Sequence, residues 1–494
     1  MSRLRATLHG AAWGGAAKLV HGGAALLALA LIARAVGPQA WGLYALAWVL
    51  AGLIEIVVFS VPVEAIAQRR ILRSGHLSAV FVACVAFALI AWGAAFALAA
   101  PISALLGGGA ALAALLPWRL ATVPIVAATA VPAALLTRRA HFTRIAAIDA
   151  VGGLAGSAAG IAGALGGLGL WSLVVMEAVR VAVWSAGTFA AAGWRPGRPG
   201  RLAHLAELAG FSSRAWLAWA VAHLDQQLPR LAIGAALGPQ ALGLYALAER
   251  LLLLLNQVLV GPAYQSVTVA AARLRQDPAA VRALYAGTLG AVATVALPVY
   301  LGAAAVAPLA VPMLLGEAWA PAAACVAVTM LMGVRAVSTA LDVAVIRGLG
   351  QVGWHLALVC AGTAITLVAM PAVAHLGPEV VAAALVGRSL LLGSALGAML
   401  TRLVGLGATA QAACWSGPLA AAGTMAVTVA PALPALRALL GDLGALAAAI
   451  AAGALLYGAA LRVFAPGHFG RAAALVLPRL GRASATARGA GTAG

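Results

Sequence analysis

Apolar runs of ~20 residues, the length that crosses a bilayer as a helix, follow one another along almost the whole chain. Polar and charged positions collect in short breaks between the runs instead of alternating with apolar ones. That spacing fits neither the one-sided stripe of a soluble amphipathic helix nor the ten-residue alternation of a membrane barrel strand. It predicts about fourteen spans, over residues 11–34, 41–66, 77–100, 118–137, 146–167, 170–192, 209–236, 241–262, 284–305, 322–346, 355–376, 379–401, 411–433 and 442–463. Backbone groups in hydrocarbon must find partners within their own segment, so uninterrupted apolar runs predict helices.

The pattern also repeats. Residues 37–47 read GPQAWGLYALA and residues 238–248 read GPQALGLYALA, identical at ten of eleven positions with an offset of 201. Each copy joins the end of one apolar run to the start of the next through a Gly-Pro turn. Six predicted spans separate the copies, and an even number keeps both in one orientation. The expected fold is therefore an all-α polytopic membrane protein with two six-helix pseudo-symmetric bundles and two extra C-terminal helices. Such repeats, related by an axis along the membrane normal, are one plan of secondary transporters, with the substrate site between the halves. The predicted division is an N-terminal bundle over 1–193, a linker over 194–208, a second bundle over 209–402, helices thirteen and fourteen over 403–466, and a basic tail over 467–494, partly disordered. The linker contains WRPGRPGR, in which Pro and Gly stop a helix.

Composition agrees with a bilayer as solvent. The chain is 64% hydrophobic and 9% charged, against about 25% charged in soluble domains. Net charge is +19, and of 31 basic residues only Lys18 is a lysine. The arginines sit between spans, which argues for topology and against nucleic acid as a partner. With the N-terminus inside, Arg69, Arg70, Arg73, Arg138, Arg139, Arg144, Arg195, Arg198, Arg201, Arg273, Arg275, Arg282, Arg347 and Arg402 all fall on the cytoplasmic side, as does the tail. The opposite side keeps Arg34, Arg119 and Arg437 with Glu317, Glu379 and Asp442. This positive-inside bias places both termini in the cytoplasm. Cys84, Cys325, Cys360 and Cys414 lie in apolar context without CxxC spacing and read as small buried hydrophobes. Gly152, Gly156 and Gly160 at four-residue spacing read as a helix-packing stripe. Trp41, Trp118, Trp171 and Trp319 near span ends read as an interfacial belt.

Ionisable groups inside spans cost roughly 2.5–3.5 kcal/mol each on insertion scales and tend to face a cavity or a partner. Lys18, Arg214, Arg335 and Arg388 are the candidate cations of a substrate cavity, since a guanidinium fork matches phosphate oxygens. Asp225, Glu55 and Glu249 are the candidate ion-coupling acids. Asp225 has two neighbouring glutamines and either titrates or pairs with Arg230. Glu177 and Arg180, at i and i+3, read as a pair on one helix. There is no phosphate-binding loop, HExxH or nucleophile elbow, so no cofactor or metal is expected, and transport would be secondary.

These segments resemble the polysaccharide flippases of the multidrug/oligosaccharidyl-lipid/polysaccharide exporter superfamily. Residues 34–58 and 224–267 carry the GxxxxGxYxLA junctions after helices one and seven. MLLGEAWAPA (313–322) is similar to the loop between helices nine and ten, and RLRQDP (273–278) to the basic connection after helix eight. The resemblance implies a polyprenyl-diphosphate-linked oligosaccharide as substrate, a cationic central cavity, alternating access, and a place in the bacterial inner membrane. Membrane lipids and other polysaccharide assembly proteins are the implied partners. It also assigns Asp225 to the acidic position of helix seven. The pathway would be exopolysaccharide, capsule or O-antigen synthesis. A peptidoglycan-precursor flippase and a multidrug or cation antiporter share the implied fold. A membrane polymerase or ligase is the alternative from another class, and the short outer connections argue against it.

Overall fold

The computed structural model describes residues 25–69, 72–197 and 202–467, and the side chains of these except at 68, 202–220, 222 and 352. These residues form helices joined by short turns, with no strand among them. Eleven helices are long and apolar enough to cross a membrane. Two of them are too long to be one crossing. Ser416–Phe464 has 49 residues, which at ~1.5 Å per residue is more than twice the hydrocarbon thickness. It turns at Gly441 (φ 69°, ψ −179°). Leu202–Leu259 turns in the same way at Gly238 (φ 81°, ψ −178°). Positive φ with extended ψ is open to glycine and essentially to nothing else. Counting each as two, and adding the shorter Ala25–Val36, gives the fourteen helices expected.

We number these α1 (Ala25–Val36), α2 (Pro38–Ala67), α3 (Ser74–Leu105), α4 (Gly109–Arg138), α5 (Phe142–Leu165), α6 (Trp171–Ala192), α7 (202–237), α8 (239–259), α9 (Pro278–Leu315), α10 (Ala322–Gly348), α11 (Gly353–Leu376), α12 (Pro378–Val404), α13 (416–440) and α14 (442–464). A shorter helix, Gly261–Arg273, follows α8. The chain divides into two compact units. One runs to Leu247 and includes Val359–Val381 of the α11–α12 region. The other comprises Ala248–Leu358 and the chain from Ala382.

In the first unit the two copies of the repeat meet. A β-carbon on Gly42 would overlap the carbonyl oxygen of Pro239, and one on Gly243 would overlap that of Pro38. Gly42 and Gly243 are equivalent in the repeat, as are Pro38 and Pro239, so the contact is reciprocal. The Pro carbonyl of each copy sits against the bare Cα of the other copy's Gly42 or Gly243, a geometry suited to weak Cα–H···O contacts. The small-residue stripe of α5 acts as expected. A β-carbon at Gly156 would lie 2.7 Å from Cβ of Arg180 and 2.8 Å from the carbonyl oxygen of Met176, so glycine brings α5 and α6 into backbone contact. Within α2, Ile56–Ser60 forms a π-helical turn immediately after Glu55.

In the second unit, Leu309, Met425, Val429, Leu433, Ala445 and Ala449 form a core between α9, α13 and α14. Asp277, in the RLRQDP connection, caps α9 by accepting from the backbone N–H groups of Ala279 and Ala280 at 3.0 Å.

Three expectations are corrected by burial. Arg119, predicted at the outer end of the fourth span, lies well inside α4 and is 1% exposed: α4 begins at Gly109, nine residues before the predicted start. Trp319 is fully buried in the α9–α10 turn and faces no interface. Of the cysteines, Cys84 and Cys325 are buried, but Cys360 is exposed and Cys414 half-buried.

Candidate functional site

Each unit carries a polar cluster within its apolar helices. In the first unit the centre is Arg119, whose local setting sequence pattern does not reveal. Its Nη1 donates to Thr122 Oγ1 at 2.7 Å, one turn later at the break in α4. Its Nη2 donates to Glu55 Oε1 of α2 at 3.3 Å and lies 3.7 Å from Glu177 Oε1 of α6. Glu177 also receives Arg180 through two bonds, Nε to Oε2 at 2.8 Å and Nη2 to Oε1 at 2.6 Å. The predicted Glu177–Arg180 pair is therefore present. Two carboxylates offset two guanidinium groups, as burial of charge requires. Glu55 is placed here as Arg119's partner.

On α7 of the same unit, Arg230 Nη1 donates to Gln227 Oε1 at 2.8 Å, and its guanidinium lies 4.8 Å from the Trp48 ring centroid. Gln227 Nε2 lies 3.0 Å from His223 Nε2. Gly52 of α2 leaves room for that imidazole, since a β-carbon there would lie 3.3 Å from His223 Nε2. Asp225 accepts from Thr366 Oγ1 of α11 at 3.0 Å. Thr366 is a partner that no local spacing could indicate, being 141 residues away.

In the second unit, α9 and α10 bury Tyr285 and Asp342, each 1% exposed. Tyr285 Oη donates to Asp342 Oδ1 at 2.6 Å. Arg335 precedes Asp342 by two turns on α10. Its Nη1 donates to Ser338 Oγ. Its guanidinium lies against Gly393 of α12, where a β-carbon would overlap it. No carboxylate comes within 4.0 Å of Arg335 among the described residues. Arg388 of α12 and Glu249 of α8 are half-buried. A cavity of about 500 Å³ opens between α9, α13 and α14, lined by Pro298, Gly302, Val306, Met425, Gly453 and Tyr457 among others.

Five of the seven predicted site residues have described side chains. Glu55 and Asp225 lie in the first unit, and Arg335, Arg388 and Glu249 in the second. Lys18 and the side chain of Arg214 lie outside the described residues. Among the described residues no cluster of His, Cys, Asp and Glu has the arrangement of a metal site.

The family model for polysaccharide biosynthesis proteins matches residues 31–324, more than half of the chain. The chain belongs to that family. The match takes in the first repeat, the Arg119 cluster, α7 with Asp225, and the second repeat. It agrees with the flippase resemblance carried by the two repeat junctions. The lipid II flippase MurJ, in an inward closed conformation, is similar in structure with a TM-score of 0.74. The likeness covers 91% of this chain and 97% of that one at 12% identity. An inward-facing MATE multidrug transporter of the MOP superfamily is similar with a TM-score of 0.56, over 79% of this chain and 98% of that one at 17% identity. At these identities the likeness concerns the fold: this family member has the architecture found in MurJ and MATE proteins. No curated protein matches it in sequence.

Proposed function

We propose that the protein is a secondary transporter that flips a polyprenyl-diphosphate-linked oligosaccharide unit across the bacterial inner membrane for exopolysaccharide, capsule or O-antigen synthesis. Membership in the polysaccharide biosynthesis family carries this reading. A sugar headgroup cannot cross ~30 Å of hydrocarbon without a polar path. The halves 1–193 and 209–402 would supply that path by alternating access, with both termini cytoplasmic. Arg335 supports it as a mid-span guanidinium held by a serine and with no carboxylate in ion-pair range among the described residues, open to the diphosphate of the substrate. Lys18, Arg214 and Arg388 would contribute to the same positive field. The apolar cavity beside α13 and α14 has the chemistry for an isoprenoid chain. Asp225 is the leading coupling acid. Glu55 is the weaker candidate because Arg119 already neutralises it, and Glu249 has no further support.

The test is reconstitution in proteoliposomes with a labelled polyprenyl-diphosphate oligosaccharide, read by protection of the label from an external glycosidase. Wild type should translocate it, and Arg335→Gln should lose most of the rate. Wild-type liposomes no faster than empty ones would refute the reading. Likeness to MurJ favours a second reading, transport of a peptidoglycan precursor. The same assay with lipid II as cargo decides between them.

A further inference from the structure

Two neighbouring helices of the first unit are broken side by side. α2 leaves the α-helix in the π-helical turn Ile56–Ser60 and resumes at Val61–Gln68. α4 stops at Leu120 and resumes at Val123–Arg138. Each resumed half has proline as its second residue, Pro62 and Pro124. Proline brings no N–H for the carbonyl four residues earlier, and its ring crowds that carbonyl. Val58 of α2 and Leu120 of α4 therefore lack the usual helical donor. Glu55 and Arg119 stand at the two breaks and touch at 3.3 Å, which sets the breaks at one level. The second repeat is interrupted at the equivalent place, since the helix Gly261–Arg273 also opens with proline second. Pro262 falls one residue sooner after Gly238 than Pro62 does after Gly37. The π-helical turn is where α2 holds its extra residue.

Hydrogen bonds sort the helix halves into two bodies. Arg138, at the end of α4, donates through Nη1 to the carbonyls of Ile66 and Arg69, tying the C-terminal halves of α2 and α4 together. Thr129 Oγ1 lies 2.6 Å from Ser185 Oγ of α6. Arg139 Nη1 donates to the carbonyl of Ala192, at the end of α6, at 3.0 Å. Unbroken α6 therefore belongs with these C-terminal halves. The N-terminal half of α4 is held to α3, where Trp92 Nε1 donates to the Pro117 carbonyl at 2.9 Å, and to α2 through Glu55. Arg119 is the joint. One carboxylate reaches it from each body, Glu55 at 3.3 Å and Glu177 at 3.7 Å, and neither contact is tight. Its Nε is buried without a hydrogen-bond partner among the described residues. A guanidinium so placed can tighten on either carboxylate and stay neutralised, which avoids the cost of a buried unpaired charge.

We propose that the first unit bends at this level. The C-terminal halves of α2 and α4 turn with α6 against the N-terminal halves, and Arg119 tightens on Glu55 in one position and on Glu177 in the other. Rigid bodies that turn about a few element-terminal residues are the usual form of a hinge. The two prolines keep α2 and α4 from closing into continuous rods, and the shared arginine stabilises both positions. The joint is independent of which cargo the protein carries.

Electron–electron double resonance between spin labels tests the joint, in nanodiscs and with the four cysteines replaced by alanine. Labels at Ala114 and Ala190 span it, one on the N-terminal half of α4 and one on α6. Labels at Ile125 and Ala190 lie within one body. All three positions are exposed. Glu55→Gln leaves Glu177 as the carboxylate of Arg119, and Glu177→Gln leaves Glu55. The two variants should therefore shift the Ala114–Ala190 distance in opposite directions from wild type, with the Ile125–Ala190 distance unchanged. Pro62→Ala combined with Pro124→Ala gives back both N–H groups and should narrow the Ala114–Ala190 distribution. It provides the test if a charge variant fails to fold. The same Ala114–Ala190 distribution in both charge variants, or a proline variant as broad as wild type, overturns the joint. An Ile125–Ala190 distance that moves as far as the Ala114–Ala190 distance overturns the division into two bodies.

Discussion

The reciprocal seat of the two repeats predicts the cost of adding one methyl group. In Gly42→Ala the new β-carbon would lie 2.6 Å from the carbonyl carbon of Pro239 and 2.9 Å from the amide nitrogen of Gly243, and would overlap the Pro239 oxygen. All three are backbone atoms in the first turns of helices, so no side chain can rotate away. The turns themselves must separate. Overpacking of this kind costs typically 1–3 kcal/mol, and a backbone-to-backbone clash belongs at the upper end, about 3 kcal/mol. Gly243→Ala makes the mirror-image clash against Pro38 and should cost the same. Because both changes open one contact, the double variant should cost little more than either single one, a coupling expected of neighbours and not of distant sites. Gly93→Ala is the control. It lies inside α3 with nothing within 4 Å of its β-position, and replacing a helical glycine by alanine gains up to ~1 kcal/mol. Stability would be read from thermal denaturation in lipid nanodiscs, by loss of the monodisperse fraction. Wild-type melting of Gly42→Ala, or a double variant with the sum of the single losses, would refute the reciprocal contact.

Three further outcomes follow from other parts of the fold. Arg119→Met leaves Glu55 without its cation and should destabilise by ~3–5 kcal/mol, whereas adding Glu55→Gln to it should recover part of the loss; a double variant no more stable than Arg119→Met in the same melt would show that charge is not the cause. Cys414 lies between α12 and α13, its thiol donates to the Ala410 carbonyl at 3.1 Å, and burial raises its pKa; with thiolate scarcer than on an ordinary cysteine at pH 7.5, maleimide labelling should be slow, rise with pH, and come from the cytoplasmic side in oriented vesicles, so that labelling from the outer side would overturn the topology. Gly453→Phe should fill the cavity between α9, α13 and α14, where a β-carbon already sits 3.6 Å from Met425, and reduce photocrosslinking to a benzophenone-bearing polyprenyl lipid at least tenfold; Gly458→Phe, in open space, should not, and equal crosslinking in both variants would remove the cavity as the lipid's seat.

What could be read along the chain and what could not divides on the range of the interaction. Apolar runs must become helices because hydrocarbon offers the backbone no other partner, so the fourteen helices and most of their bounds were legible. Gly152, Gly156 and Gly160 were legible as a packing stripe because the spacing is local, as was the Glu177–Arg180 pair. The 201-residue repeat showed that one sequence motif occurs twice in equivalent settings. That Gly42 and Gly243 touch each other's Pro carbonyls needed the structure, since a repeat fixes equivalence and says nothing of contact. Arg119 shows the main failure. An arginine near an apparent span end resembles a topology marker, and only burial among Glu55, Thr122 and Glu177 reveals it as the hub of a charge cluster. The Thr366 bond to Asp225 was invisible for the same reason. Arg335 and Asp342 are the instructive pair. Seven-residue spacing places them on one helix face but two turns apart, beyond the i, i+4 reach of a direct pair, and it does not say what each side chain meets. The difference lies in what α9 and α12 bring against that face: Tyr285 takes the acid, and Gly393 makes room for the guanidinium two turns away. A single helix carries both residues, and each meets a partner of its own: the acid a tyrosine hydroxyl from α9, the guanidinium a serine one turn along the same helix.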